Sequence, residues 1–129
     1  MRTFVNESAE NYLETILILS KKLPVVRSVD IANELGFTKP SVSVAMKNLR
    51  ENGYILVDSD GFITLTDKGM AIAETIYERH TLISEWLKAL GVDPKTAVED
   101  ACRIEHVISP SSFEAIKRHV SSGKEFLKE

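Results

Sequence analysis

The fold of the first half of this chain is decided by residues 28–50, SVDIANELGFTKPSVSVAMKNLR. Apolar residues recur at helical spacing on both sides of Gly36, which predicts two short helices joined by a tight turn. Thr38 is a suitable cap for the second helix, and Pro40 is tolerated in its first turn. The pattern is typical of a helix-turn-helix, in which the second helix enters the DNA major groove. A plain αα-hairpin with a polar face is the alternative.

The residues that follow predict a β-hairpin. Tyr54-Ile55-Leu56-Val57 and Phe62-Ile63-Thr64-Leu65-Thr66 are β-prone, and Asp58-Ser59-Asp60-Gly61 between them is a turn. A hairpin directly after a recognition helix is a wing, and the combination is far more specific than either half. Two aspartates at the tip indicate that this wing does not press strongly on phosphate.

Helical patterns flank the winged helix on both sides. An apolar stripe predicts a first helix that ends near Lys22, and Thr66-Asp67 starts a long helix from about Lys68 to Leu90. Asp93-Pro94 and Ser109-Pro110 start two more. The predicted fold is therefore mostly α, with a winged helix-turn-helix DNA-binding domain (1–70) and a helical dimerisation and metal-binding domain (71–129). The winged helix is complete by Thr66, so the apolar faces beyond it indicate a partner, and a homodimer could read paired half-sites.

Composition is that of an ordinary soluble domain, with 43% apolar and 27% charged residues in 129 and a net charge of −3. With one cysteine, no apolar run long enough to span a membrane and no signal-peptide core at the N-terminus, we expect a cytoplasmic protein. The segment 36–50 carries three cations and no acid, so it can face phosphates although the chain is acidic. The residues expected at the DNA are Arg27, Ser28, Thr38, Lys39, Pro40, Ser41, Ser43, Lys47 and Arg50.

A second constellation lies in Asp100-Ala101-Cys102-Arg103-Ile104-Glu105-His106. Cys102, Glu105 and His106 stand at i, i+3 and i+4, so their side chains leave one face of a helix. Each residue alone is more often structural, and the prediction depends on their conjunction. Thiolate, carboxylate and imidazole together suit Fe²⁺, Co²⁺, Ni²⁺ or Zn²⁺, whereas oxygen in place of sulfur favours Mn²⁺. Binding should release protons and fail in acid.

The order of these elements, with several short motifs, resembles the DtxR/MntR family of metal-dependent transcriptional repressors. The resemblance covers about the first 120 residues. It implies a cytoplasmic homodimer that binds a divalent metal and then a palindromic operator in double-stranded DNA, and that represses metal-uptake genes. The motifs are Ala9-Glu10-Asn11-Tyr12-Leu13-Glu14-Thr15-Ile16, Lys39-Pro40-Ser41-Val42-Ser43, Leu65-Thr66-Asp67-Lys68-Gly69, Arg79-His80 and Glu99-Asp100-Ala101-Cys102-Arg103-Ile104-Glu105-His106.

The resemblance also implies a wider set of metal ligands. Cys102, Glu105 and His106 match ligands on the family's fifth helix, and His80 matches one on the fourth. Glu14 matches a first-helix ligand of the manganese branch. Asn11 falls where that branch has Asp and the iron branch has Met, so it offers one neutral carbonyl oxygen. Cysteine is an iron-branch feature, whereas Glu14 and the short chain are manganese-branch features, which leaves both Fe²⁺ and Mn²⁺ open; Zn²⁺, Co²⁺ or Ni²⁺ could also occupy the site in vitro.

Three other functions compete with this one. A winged-helix regulator could sense a small organic ligand, and a winged helix could serve protein–protein contact. An enzyme could use Cys102 as nucleophile and His106 as base, but no Gly-rich oxyanion loop or third orienting residue is evident. We therefore expect neither catalysis nor a small-molecule substrate, and no membrane association.

Overall fold

The computed structural model describes the backbone of residues 7–128 and the side chains up to Ser121. The described chain divides into two compact units between Thr75 and Ile76. The mostly α fold with a winged helix-turn-helix is confirmed. The elements are α1 (Glu7–Lys22), α2 (Ser28–Leu35), α3 (Lys39–Glu51), β1 (Ile55–Val57), β2 (Ile63–Leu65), α4 (Asp67–Ala89), α5 (Pro94–Val107) and α6 (Pro110–Lys128).

The helix-turn-helix forms because its turn residues satisfy the helix ends. Gly36 adopts a left-handed conformation (φ 70°), and its N–H donates to the carbonyl of Ala32 at 2.9 Å. Thr38 caps α3, because its hydroxyl oxygen accepts the N–H of Ser41 at 3.3 Å. Arg27 is the N-cap of α2, and its own N–H donates to the carboxylate of Asp30 at 2.9 Å. The turn and the second helix lie where the spacing predicted them.

In the first unit, α2 packs against α1 and α3, while α1 packs against β2 and α3 against β1. Its strands pair antiparallel in the register Ile55↔Leu65, Leu56↔Thr64 and Val57↔Ile63. At the tip, one carboxylate oxygen of Asp58 accepts the N–H groups of Asp60 and Phe62, each at 2.9 Å. The predicted wing is therefore present, with strands shorter than the β-prone runs. The core of this unit includes Leu13, Ile16, Leu17, Val26, Ile31, Val42, Met46, Leu49, Ile55 and Ile63.

The second unit brings together the C-terminal part of α4, α5 and α6. Ile83, Ala101 and Phe113, one from each helix, form the centre of its core. Asp93 caps α5, because its carboxylate accepts the N–H groups of Lys95 and Thr96. This cap confirms the predicted helix start and thereby determines which residues of α5 share a face. Partly buried side chains surround the core: Leu82, Leu87, Ile104 and Ile108.

No helix in the described range 7–128 has the length and apolar character needed to cross a membrane.

Candidate metal centre and nucleic-acid interface

The predicted constellation on α5 converges. Its three residues place one potential ligand atom each within 4.8 Å of the other two: the sulfur of Cys102, a carboxylate oxygen of Glu105 and an imidazole nitrogen of His106. Cys102 is half-buried, and the other two side chains are buried. Because α5 is regular from its Asp93 cap onward, residues at i, i+3 and i+4 share one face.

Glu105 is the centre of this cluster. It is fully buried, and its Oε1 lies 3.3 Å from Nε2 of His106. Its other oxygen, Oε2, lies 3.0 Å from Nδ1 of His80 on α4. Ionised carboxylates in protein interiors are paired with positive charge, and a protonated imidazole or a bound cation can supply it. The structure therefore brings His80 to the residues of α5, and the donor atoms present are those that transition metals bind.

The side chain of Arg79 holds the backbone of the helix that carries the same cluster. Its buried guanidinium donates from Nη1 to the carbonyls of Glu105 (3.2 Å) and Ile108 (3.1 Å). It also lies 5.3 Å from the ring centroid of Phe113 on α6. Arg79 thus satisfies carbonyls at the end of the helix that carries the cluster. In the sequence, Arg79 stood out only in the Arg79-His80 motif of the family resemblance, and no local pattern predicted its contact with these carbonyls.

The two candidate ligands on α1 belong to the other unit. Glu14 is buried and Asn11 is partly buried. Being three residues apart on one helix, both leave the same side of α1. Their assignment as metal ligands stays a prediction from the family resemblance.

The residues expected at DNA lie on or beside α2 and α3, and all except the half-buried Ser28 are exposed. Val42, Met46 and Leu49 turn the opposite side of α3 to the core. The hydroxyls of Thr38 and Ser41 are hydrogen-bonded at 2.8 Å at the start of α3. The Arg27 guanidinium lies 4.6 Å from the ring centroid of Phe62, so it packs on the wing.

One ion pair links α4 and α6 away from the cluster. Nζ of Lys117 donates to Oε2 of Glu78 at 2.9 Å. This hydrogen bond, and then the negative charge of Glu78, raise the pKa of Lys117 above its ordinary value of 10.5.

A winged helix-turn-helix followed by a helical unit with a clustered thiol, carboxyl and imidazole defines a class of metal-binding, DNA-binding proteins. The model of the iron-dependent repressor N-terminal DNA-binding domain matches residues 5–61. The model of the iron-dependent repressor metal-binding and dimerisation domain matches residues 66–125. The chain belongs to this family of iron-dependent repressors. The boundary predicted after residue 70 falls within α4 and stays a prediction.

Relatives agree with this assignment. The chain is 34% identical over 115 residues to an uncharacterized HTH-type transcriptional regulator of Methanocaldococcus jannaschii, covering 88% of this chain and 92% of that protein. It is 32% identical over 111 residues to the transcriptional regulator MntR of Escherichia coli, covering 86% of this chain and 72% of that protein. A manganese-dependent transcriptional repressor in complex with manganese superposes with a TM-score of 0.79 at 26% identity, covering 88% of this chain. The chain spans 52% of the length of that solved structure.

Proposed function

We propose that this protein is a metal-dependent transcriptional regulator, a repressor of metal-uptake genes whose dimer binds its operator when a divalent metal is bound. The observation that carries the proposal is Glu105, a fully buried carboxylate between two imidazoles and beside a thiol. This set lies in a chain that also carries an exposed recognition helix. A dimer that reads a palindrome would place two such helices about one helical turn of DNA apart.

The residues that would hold the metal are Cys102, Glu105, His106 and His80. A divalent ion bound there supplies positive charge to the buried carboxylate of Glu105. His80 comes from α4 and the other three from α5, so these ligands would fix the two helices relative to each other. The α1 residues Glu14 and Asn11 are further ligand candidates from the resemblance, and metal titration of their alanine variants tests each one.

The identity of the metal is open between Fe²⁺ and Mn²⁺. The thiolate of Cys102 favours the softer Fe²⁺ over Mn²⁺, whereas the relatives named above include a repressor that carries manganese. Binding to DNA and to metal must reinforce each other by the same factor, because the two equilibria are linked. The physiological metal is therefore the one that tightens DNA binding at the concentration at which that metal is present in the cell.

Fluorescence anisotropy with a labelled duplex from the protein's own upstream region tests the function. Titrations run in chelator, in Mn²⁺, in Zn²⁺ and, without oxygen, in Fe²⁺. We expect binding only with metal. Cys102→Ala should lose more than about tenfold in metal affinity, the lower end of the loss seen when a residue that merely supports a ligand is changed. Val98→Ala, one turn earlier on α5, is the matched control and should bind metal as the wild type does.

Two outcomes would contradict the proposal. Operator binding of equal strength in chelator would make the cluster structural and would favour a regulator that senses an organic ligand. Absence of DNA binding with every metal at low salt would favour a winged helix that contacts protein.

A further inference from the structure

Val44 is an apolar residue on the exposed side of α3. The side chain is 61% exposed, while Val42 and Met46 on either side of it are buried. Residues 40, 43, 44 and 47 follow the spacing i, i+3, i+4 and i+7, so Val44 lies at the middle of the outward face of α3. The residues expected to contact DNA in the sequence analysis lie around it and did not include it.

A single exposed valine is ordinary on most protein surfaces. The residues around Val44, however, are those expected to contact DNA. The segment 36–50 has three cations and no acid, and two hydroxyl residues, Ser41 and Ser43, lie just before the valine. Valine is also a poorer helix former than alanine, lysine or glutamine, so helix stability does not favour it on a solvent-facing side. Its single strongly preferred rotamer means that little side-chain freedom is lost on binding.

We infer that Val44 contacts the C5-methyl group of a thymine in the major groove and selects a T·A pair at one position of each half-site. This inference rests on the proposed DNA-binding function. On the major-groove edges of the four bases, thymine alone presents a methyl group, and the remaining groups are hydrogen-bond donors and acceptors. The hydroxyl of Ser43 can bond a donor, an acceptor or a phosphate, and the ammonium of Lys47 can bond an acceptor or a phosphate. Val44 can make only an apolar contact.

Replacing thymine by deoxyuridine tests this contact, because it removes the methyl group and keeps base pairing. A high-affinity duplex is first selected from a randomised pool with the wild-type protein and Mn²⁺. Each thymine is then replaced singly. We expect one position per half-site at which wild-type binding weakens by roughly fourfold, the effect of exposing one methyl-sized apolar group. Val44→Ala should bind both duplexes equally at that position and keep the wild-type response at other thymines.

Val29→Ala is the matched control, since Val29 is also exposed and lies on α2 rather than on the recognition helix. It should give the wild-type uracil profile. A wild type that binds the selected duplex with metal, but shares its uracil profile with Val44→Ala, overturns the inference and leaves the proposed function intact. A selected duplex in which no thymine-to-uracil replacement weakens wild-type binding also overturns the inference and leaves the proposed function intact. Wild-type binding that is no tighter with Mn²⁺, with Zn²⁺ or with Fe²⁺ without oxygen than it is in chelator overturns both the inference and the proposed function.

Discussion

At the scale of single residues, Gly69 shows most clearly how a side chain can be excluded by the backbone. A Cβ placed on Gly69 would lie 2.0 Å from the carbonyl oxygen of Tyr54, which also accepts the N–H of Thr66. Gly69→Ala should therefore lower the free energy of unfolding by about 1–3 kcal/mol, the usual effect of overpacking. Helix propensity alone would raise the free energy of unfolding by about 1 kcal/mol. The sign of the measured change therefore shows which of the two effects is larger.

Urea unfolding followed by circular dichroism measures this change. The control is Ala71→Gly, an exposed position on the same helix, which should lose only the roughly 1 kcal/mol of helix propensity. A Gly69→Ala variant more stable than the wild type would show that α4 can move away from Tyr54.

Cys102 is the residue that should tune metal preference. Cys102→Asp replaces a soft sulfur with a hard oxygen on the same face of α5, so relative affinity should shift from Fe²⁺ and Zn²⁺ towards Mn²⁺. Competition titrations of the variant and the wild type with Mn²⁺ and Zn²⁺ measure the ratio of affinities directly. An unchanged ratio would mean that the sulfur does not bind the metal.

The sequence could predict residues whose positions depend on one helix. The convergence of Cys102 with Glu105 and His106 follows from helical spacing once Asp93 fixes the start of α5. The roles of Arg79 and Gly69 could not be predicted. Arg79 reaches carbonyls 26 and 29 residues further along the chain, and Gly69 contacts a carbonyl 15 residues before it, so no local pattern contains either contact.

At the scale of elements, Arg79 joins the three helices of the second unit. Arg79→Met should leave two carbonyls near the end of α5 without their donor, at a cost of about 1–3 kcal/mol for each fully buried group. Metal affinity should fall as well, because the backbone of Glu105 loses its anchor. Thermal unfolding and metal titration measure the two effects. Arg103→Met, which removes an exposed arginine from α5, is the control and should change neither.

The ion pair between Lys117 and Glu78 makes a pH-dependent contribution to the packing of α4 and α6. The pKa of Lys117 is raised in the folded protein, so the stabilisation is fully present below the ordinary value of 10.5 and is lost as pH rises through the folded value. Lys117→Met should therefore lower the urea midpoint slightly at pH 7, by less in high salt, because exposed pairs are weak and screened.

The difference between wild type and Lys117→Met should shrink as the pH is raised above 10.5. Lys95→Met, which removes a lysine from the exposed first turn of α5, is the control for loss of positive charge alone. A midpoint difference that grows in alkali would contradict the raised pKa.

Element boundaries could be predicted where a cap or turn residue is local. Thr38, Asp93 and Gly36 each mark a helix end that the structure confirms. No cap-type side chain precedes α2: Arg27 is its N-cap, and Asp30 accepts the N–H of Arg27 from within the first turn of the helix. Strand lengths and helix partners depend on packing between distant segments, which periodicity does not encode.

At the scale of the whole molecule, charge is distributed unevenly. The chain has a net charge of −3, yet residues 36–50 carry three cations and no acid. Such a protein should be repelled by DNA in most orientations and attracted in one. Affinity should then depend steeply on salt, through the few phosphates that this surface neutralises.

Lys47→Gln tests that dependence directly. Lys47 is exposed on the outward face of the recognition helix, so removing its charge should remove one phosphate contact from each protomer. For a dimer, the slope of log affinity against log salt should then become shallower by about two, since each neutralised phosphate contributes about 0.9. Anisotropy titrations at constant free metal over a series of KCl concentrations measure this slope. Lys95→Gln removes the same charge from an exposed position in the second unit and should leave the slope unchanged. Equal losses of slope in both variants would mean that total charge, rather than the surface of α3, controls binding.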